Sequence, residues 1–274
     1  MFESSPPTAI QRMAHSLQLL WAQRSRQGQV PEPHPSTGGE APSSTLFMDS
    51  AFTFLPEPQS KTFKIRIARR NSVLQDALGL INRRYNQRGY GFQTLTLSPD
   101  RMTIVAYEEQ QVLGTLTVQL DKHGNLLSDE CFAGPLNALR SRGASLCEFT
   151  KLATAPRAPM SATLASMFHV AFIFAHQVHG ATHAVVEVNP RHVTFYTRVL
   201  GFTAHGSAVP NPRVRAPGVL LVADFAHIAH QLMARHSQDS GQAAPFFSHS
   251  FSHTEEEGIR QRMQAAFQQP QEIA

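Results

Sequence analysis

The chain has 274 residues, 42% hydrophobic and 16% charged, with a formal net charge of +4 and two cysteines, Cys131 and Cys147. Those figures suit one globular domain with extensions, argue against a disulfide framework and predict a reducing, cytoplasmic setting. No run is expected to reach the length of a membrane helix, and the N-terminus shows no signal-peptide pattern.

In chain order, residues 1–60 read as a terminal helix and a linker. PTAIQRMAHSLQLLWAQ has helical spacing at Ile10, Met13, Leu17 and Leu20, with Trp21 beside the last. Its apolar stripe can serve its own domain, a partner or a lipid surface, and a peripheral membrane contact is left open. QGQVPEPHPSTGGEAPSS follows as a Pro/Gly/Ser linker too polar to bury a core.

Residues 61–236 carry the regular pattern. FKIRIA alternates as a strand. SVLQDALGLINRRYNQ is a helix with Ser72 at its cap and Val73, Ala77, Leu80 and Ile81 along one face. MTIVAYEE and QVLGTLTVQLD are strands meeting in a turn at Glu109 and Gln110, and ASLCEFTKLAT is another. SATLASMFHVAFIFAHQVHG is apolar nearly all round and predicts a buried helix. HAVVEV is a strand, PRHVTFYTRVL a helix and GVLLVADF a last strand. The order predicts an α+β fold with a mixed, mostly antiparallel central sheet flanked by helices, and no helix between the middle strands. Residues 237–274 read as a loop followed by a peripheral helix, capped at Thr254, with Glu255, Glu256 and Glu257 in its first turn.

The segment NPRHVTFYTRVLGF has Asn189 as a helix cap, Pro190 in the first turn and Gly201 where a left-handed residue ends the helix. Val193, Tyr196 and Leu200 share a stripe, which turns Tyr196 inward. A strand, then Asn189, then Tyr196 seven residues on and a closing Gly-Phe resembles the last motif of GNAT-superfamily acyltransferases. The resemblance runs from about Phe63 to Phe225. It implies the GNAT-like fold and a general-acid role for Tyr196, returning a proton to the departing thiolate.

Members of that superfamily hold coenzyme A on an Arg/Gln-x-x-Gly-x-Gly/Ala loop, whose N–H groups cradle a pyrophosphate. Here the segment is RAPMSA: Arg157 and Ala162 match the ends, Met160 replaces the glycine, and Pro159 has no N–H. A donor with one phosphate, the phosphopantetheine arm of an acyl carrier protein, needs less of that cradle, although coenzyme A stays possible. Carrier proteins are acidic and this chain is basic, with arginines at 66, 69 and 70, at 83, 84 and 88, and at 140 and 142. CEFTKLA, Cys147 to Ala153, and RRYNQRGY, Arg83 to Tyr90, resemble segments of the carrier-protein-dependent acyl-homoserine lactone synthases and the related N-acyl amino acid synthases.

That resemblance implies transfer of a long acyl chain from carrier protein to the α-amine of an amino acid, with no bound cofactor. Glu148 would be the base that deprotonates the amine, with Tyr85, Lys151, Arg157 and Asn189 in the binding site. Asn86 to Pro99 contains no acidic residue to grip a sulfonium substrate, so an acceptor with a free carboxylate is expected, held by Arg84 or Arg191. The alternatives are a coenzyme A-dependent N-acetyltransferase of the same fold, or a non-catalytic acyl-binding or interaction module. His176, His179 and His183, and His227 with His230, lack a Cys or carboxylate to complete a metal site, and none is expected. No nucleic-acid module is recognisable.

Overall fold

The computed structural model describes residues 53–54, 63–156, 160–236 and 245–268. The stripe around Ile10 to Trp21, the linker after it, and Arg157 with Pro159 lie outside them. Strands β1 (Thr53–Phe54) and β2 (Phe63–Ile67) lead into helix α1 (Asn71–Asn86), then β3 (Arg101–Glu108) and β4 (Gln111–Leu120). Helix α2 (Asp129–Ser141) precedes β5 (Leu146–Thr154), and α3 (Met160–Phe172) continues as a π-helical turn to Val178 before β6 (His183–Val188). A 3₁₀ turn (Pro190–His192) opens into α4 (Val193–Val199). β7 (Thr203–Ala204), β8 (Val209–Asn211), β9 (Ala216–Asp224), α5 (Phe225–His236) and α6 (His253–Gln268) complete the order.

The strands run β1-β2-β3-β4-β5-β6-β9-β7, with β8 paired to β9. The β5–β6 pair is parallel and the other pairs are antiparallel. The sheet separates two packed layers because successive side chains face opposite sides. On one side Ile104, Phe149 and Val186 meet α3, whose Leu164, Met167 and Phe174 are buried in the same cluster. On the other, Val105 and Tyr107 meet Val73, Ala77 and Ile81 of α1, while Leu136 of α2 covers Leu146 and Val185. Burying each such side chain is worth about 1.5–3 kcal/mol.

Several expectations are corrected. Helix α2 lies between β4 and β5, where no helix was expected; Gly134 and Pro135 disguise its periodicity, and Phe132 breaks its dihedrals with a kink at φ −132°. Ser72 does not cap α1: the cap position is Arg70, which makes no capping side-chain bond. The segment after Asn189 begins as a 3₁₀ turn, with α4 starting only at Val193. Thr254 is not the cap of the last helix either. Ser252 Oγ accepts from the Glu255 N–H (3.3 Å) while the Glu255 carboxylate accepts from the Ser252 N–H (2.7 Å), a reciprocal capping box.

That last helix was expected at the periphery, yet Ile259 and Met263 are buried in the main core with Phe246, Phe247 and Phe251. Ser161–Val178, contrary to the expectation that no run reaches that length, is long and apolar enough to cross a membrane by length and composition; 72% of it is buried inside the protein.

Candidate active site

The site begins where two strands part. Parallel β5 and β6 are in register at Leu146, Cys147 and Glu148 against His183, Ala184 and Val185, and the pairing stops there. Beyond the fork, Phe149 to Leu152 and Val186 to Asn189 form two banks of a cleft. On the β4 side, Thr115 pairs with Ala153 but Thr117 with Thr150, so Lys151 and Leu152 share one partner in a bulge. Lys151 takes φ +51°, rare for a residue with a side chain. The bulge reverses facing parity: Phe149 packs on the α3 side and Ala153 on the α1 side. It also leaves Thr150 and Lys151 lining the same cleft as Glu148.

Glu148 is 1% exposed. Its carboxylate accepts two backbone N–H bonds, from Leu127 at 2.6 Å and Ser128 at 3.0 Å. Burial pushes its carboxyl up to about 7, while those N–H groups and the Arg213 charge oppose the rise. A carboxyl held there can take and release a proton near neutral pH. Cys147, on the opposite face, is buried with its thiol raised by burial and by Glu148.

Across the cleft, Tyr196 is buried and its ring meets Phe168, Phe195 and Phe202 edge-on. Gly201, at φ +74°, ends α4 as expected and brings the Phe202 N–H back to the Tyr196 carbonyl at 3.1 Å. The Tyr196 hydroxyl has no hydrogen-bond partner among the described residues, and burial, then the neighbouring Tyr85, raises its pKa. Burial and Tyr90 raise Tyr85 too, whose ring meets that of Tyr90 edge-on. The inner part of the cleft, about 170 Å³, is lined by Arg84, Tyr85, Lys151, Asn189 and Tyr196. An outer part of about 490 Å³ carries Glu148 and shares Tyr85, Lys151 and Asn189 with the inner.

Arg84 prolongs the buried stripe of α1 and is 6% exposed. It donates to Gln87 at 3.0 Å, and burial, then Arg88, brings its pKa down to about 10. Arg191 is not in the lining: it is exposed, donating to the Tyr90 hydroxyl (2.8 Å) and to His192 Nε2 (3.1 Å). Burial, Arg191 and Arg88 bring His192 down to about 4, so it is neutral at pH 7. Asn189 caps the 3₁₀ turn through the Arg191 N–H (3.3 Å) and donates to the Pro217 carbonyl (3.4 Å). Lys151 makes no side-chain hydrogen bond or ion pair among the described residues; burial, then Arg101, lowers its pKa.

Sequence reasoning missed the cluster around Glu187 on the β6 bank. Glu187, near the end of β6, accepts from Asn211 Nδ2 (2.5 Å) and Arg213 (2.6 Å). Burial raises its carboxyl while both partners oppose the rise. A Cβ at Gly218 would overlap the Glu187 carboxyl and force that side chain out of place. A lone acid in the apolar run HAVVEV was a usable signal for Glu187. The backbone donors on Glu148 left none, because an N–H has no residue identity.

The family model of the N-acyl amino acid synthase FeeM matches residues 76–224, more than half of the chain. Among solved structures, that of FeeM, an N-acyl amino acid synthase from uncultured soil microbes, is 24% identical, with a TM-score of 0.55 over 60% of this chain and 92% of that one. The AHL synthase LasI is 12% identical, with a TM-score of 0.44 over 60% and 90%. An acyl-CoA N-acyltransferase from Pseudomonas aeruginosa is 14% identical, with a TM-score of 0.42 over 58% and 98%. No curated protein matched the sequence. With its GNAT-like fold and its forked strands around a buried glutamate, the chain is an acyltransferase and belongs to the FeeM family of N-acyl amino acid synthases.

Proposed function

We propose that the protein moves a long acyl chain from the phosphopantetheine thioester of an acyl carrier protein to the α-amine of an amino acid. The observation that carries this reading is Glu148: a buried carboxylate with its pKa near 7, held by two N–H groups at the strand fork. Glu148 takes a proton from the α-ammonium, directly or through water, since only the neutral amine has a lone pair to attack with. Nitrogen bonds to the thioester carbon, the C–S bond breaks, and the sulfur leaves with the electron pair. Tyr196 supplies the proton that converts the thiolate to a thiol, and the second amine proton is lost to solvent. Exchange with solvent returns the proton to Tyr196 and removes the one on Glu148.

Lys151, half-buried in the cleft, supplies a cation for the acceptor's carboxylate. Arg84 and Arg88 line the inner cleft and supply charge for the single phosphate of the donor arm. Behind Phe149 an apolar cavity of about 30 Å³, lined by Phe168, Phe172, Phe225, Leu232 and Phe247, offers a path for the first carbons of an acyl chain.

The test is an end-point assay read by mass spectrometry, with C8 to C18 acyl groups supplied on carrier protein and, separately, on coenzyme A, and a mixture of amino acids. A new N-acyl amino acid from the carrier-protein donor is the expected result. Product from coenzyme A donors alone would move the donor to coenzyme A, and product from neither would overturn the reading.

A further inference from the structure

Arg213 has no part in that reaction, yet it touches β6, α2 and the segment that leads into α2. It sits in the turn between β8 and β9, whose backbone is tied down where the Arg213 N–H donates to Asn211 Oδ1 at 2.8 Å. Its guanidinium donates to Glu187 at 2.6 Å and to the Leu127 carbonyl, and lies 3.4 Å from Glu130. The Leu127 contact is the telling one. The Leu127 carbonyl and the Ser128 N–H belong to one peptide group, and that N–H donates to Glu148. A cation on the oxygen of a peptide group draws electron density from its nitrogen and strengthens the N–H as a donor. The same contact fixes the plane of the peptide, and so the direction of the N–H.

We propose that Arg213 is a positioning residue for acyl transfer, clamping the Leu127–Ser128 peptide against Glu148 from the opposite bank of the cleft. Glu187 and Asn211 anchor the clamp in turn, and Gly218 leaves room for the Glu187 carboxyl. The inference rests on Glu148 being the base, and it adds a reason why that base is not fully neutralised by burial. The charged and titratable groups around Glu148 are Arg213 from the β8–β9 turn, Lys151 and Cys147 from its own strand, and Glu187 and Glu130 beyond Arg213. Of these, Arg213 and the Lys151 cation favour the ionised carboxylate. Losing Arg213 both removes a charge and frees the peptide, and the two effects have the same sign.

The full chain and its Glu148→Gln, Arg213→Met and Arg213→Lys variants would be compared in two ways. The carboxyl stretch of Glu148, found by infrared difference between wild type and Glu148→Gln, would be titrated against pH with no substrate present. Its midpoint is expected to rise by about one pH unit in Arg213→Met. Arg213→Lys keeps the charge, cannot reach all three acceptors, and is expected to fall between the two. The acidic limb of the pH–rate profile, measured with a dodecanoyl carrier protein and mixed amino acids, should move by the same amount. Thermal melting identifies a variant that has merely unfolded, and Arg213→Lys then carries the comparison. A midpoint unchanged in a folded Arg213 variant overturns the clamp. Full turnover in Glu148→Gln instead sinks the assignment of the base, whatever the titration does.

Discussion

The two banks of the cleft each bury an ionisable group and treat it differently. Tyr196 sits among rings with no hydrogen-bond partner among the described residues, so little offsets the cost of burying its charge. Glu148 is more deeply buried, yet two N–H groups and the Arg213 charge hold it near 7. Burial sets the direction of both shifts, and the partners set how far each goes. In the proposed reaction one bank keeps a proton to give and the other a site to receive one, the division of labour that acyl transfer to an amine requires.

The strongest way to break this contrast is Glu148→Gln. Turnover should fall by about 10²–10⁴-fold with the fold intact, measured by steady-state kinetics and circular dichroism. Stability gives an independent check. The folded pKa of Glu148 lies above its unfolded value of 4.5, so folding favours the protonated form. That contribution is fully present below pH 4.5 and is lost as pH rises through about 7. The melting temperature of Glu148→Gln relative to wild type should therefore climb between pH 5 and pH 8. A flat difference would mean that the carboxyl is not raised.

Tyr196→Phe comes next. It removes the proton donor and leaves the ring contacts, so turnover should drop by about 10²-fold with little change in melting. Unchanged turnover would reduce Tyr196 to a packing residue. Gly218→Ala tests the far bank: displacing the Glu187 carboxyl should lower stability by about 1–3 kcal/mol, read from chemical denaturation. The smallest effect is at the bulge. Lys151→Gly should be more stable than Lys151→Ala by about 1 kcal/mol, because only glycine adopts φ +51° without strain. Equal stability would show that the bulge relaxes.

Much of this architecture was legible in the residues. The alternation of FKIRIA and QVLGTLTVQL, the apolar helix around Phe168, and Gly201 closing α4 each follow from periodicity or a local backbone need. The inward turn of Tyr196 followed from its place on a stripe with Val193 and Leu200. Helix α2 escaped because Gly134 and Pro135 obscure a kinked segment. The capping of α6 was misplaced because Thr254 and Ser252 are equally good cap residues, and only the bonds to Glu255 decide between them.

What the sequence by itself determined is the set of candidate groups: an acid on a strand, a tyrosine on an inward stripe, and a basic chain. What only the tertiary structure decided is how those groups are tuned. The bulge at Lys151 turns residues that simple alternation would separate into one cleft, and the donors on Glu148 come from two adjacent peptides about twenty residues away along the chain. Arg213 reaches the second of those peptides from a hairpin remote in sequence. A pKa depends on distances and burial, and on backbone groups that every residue carries alike, so it exists only once the chain has folded.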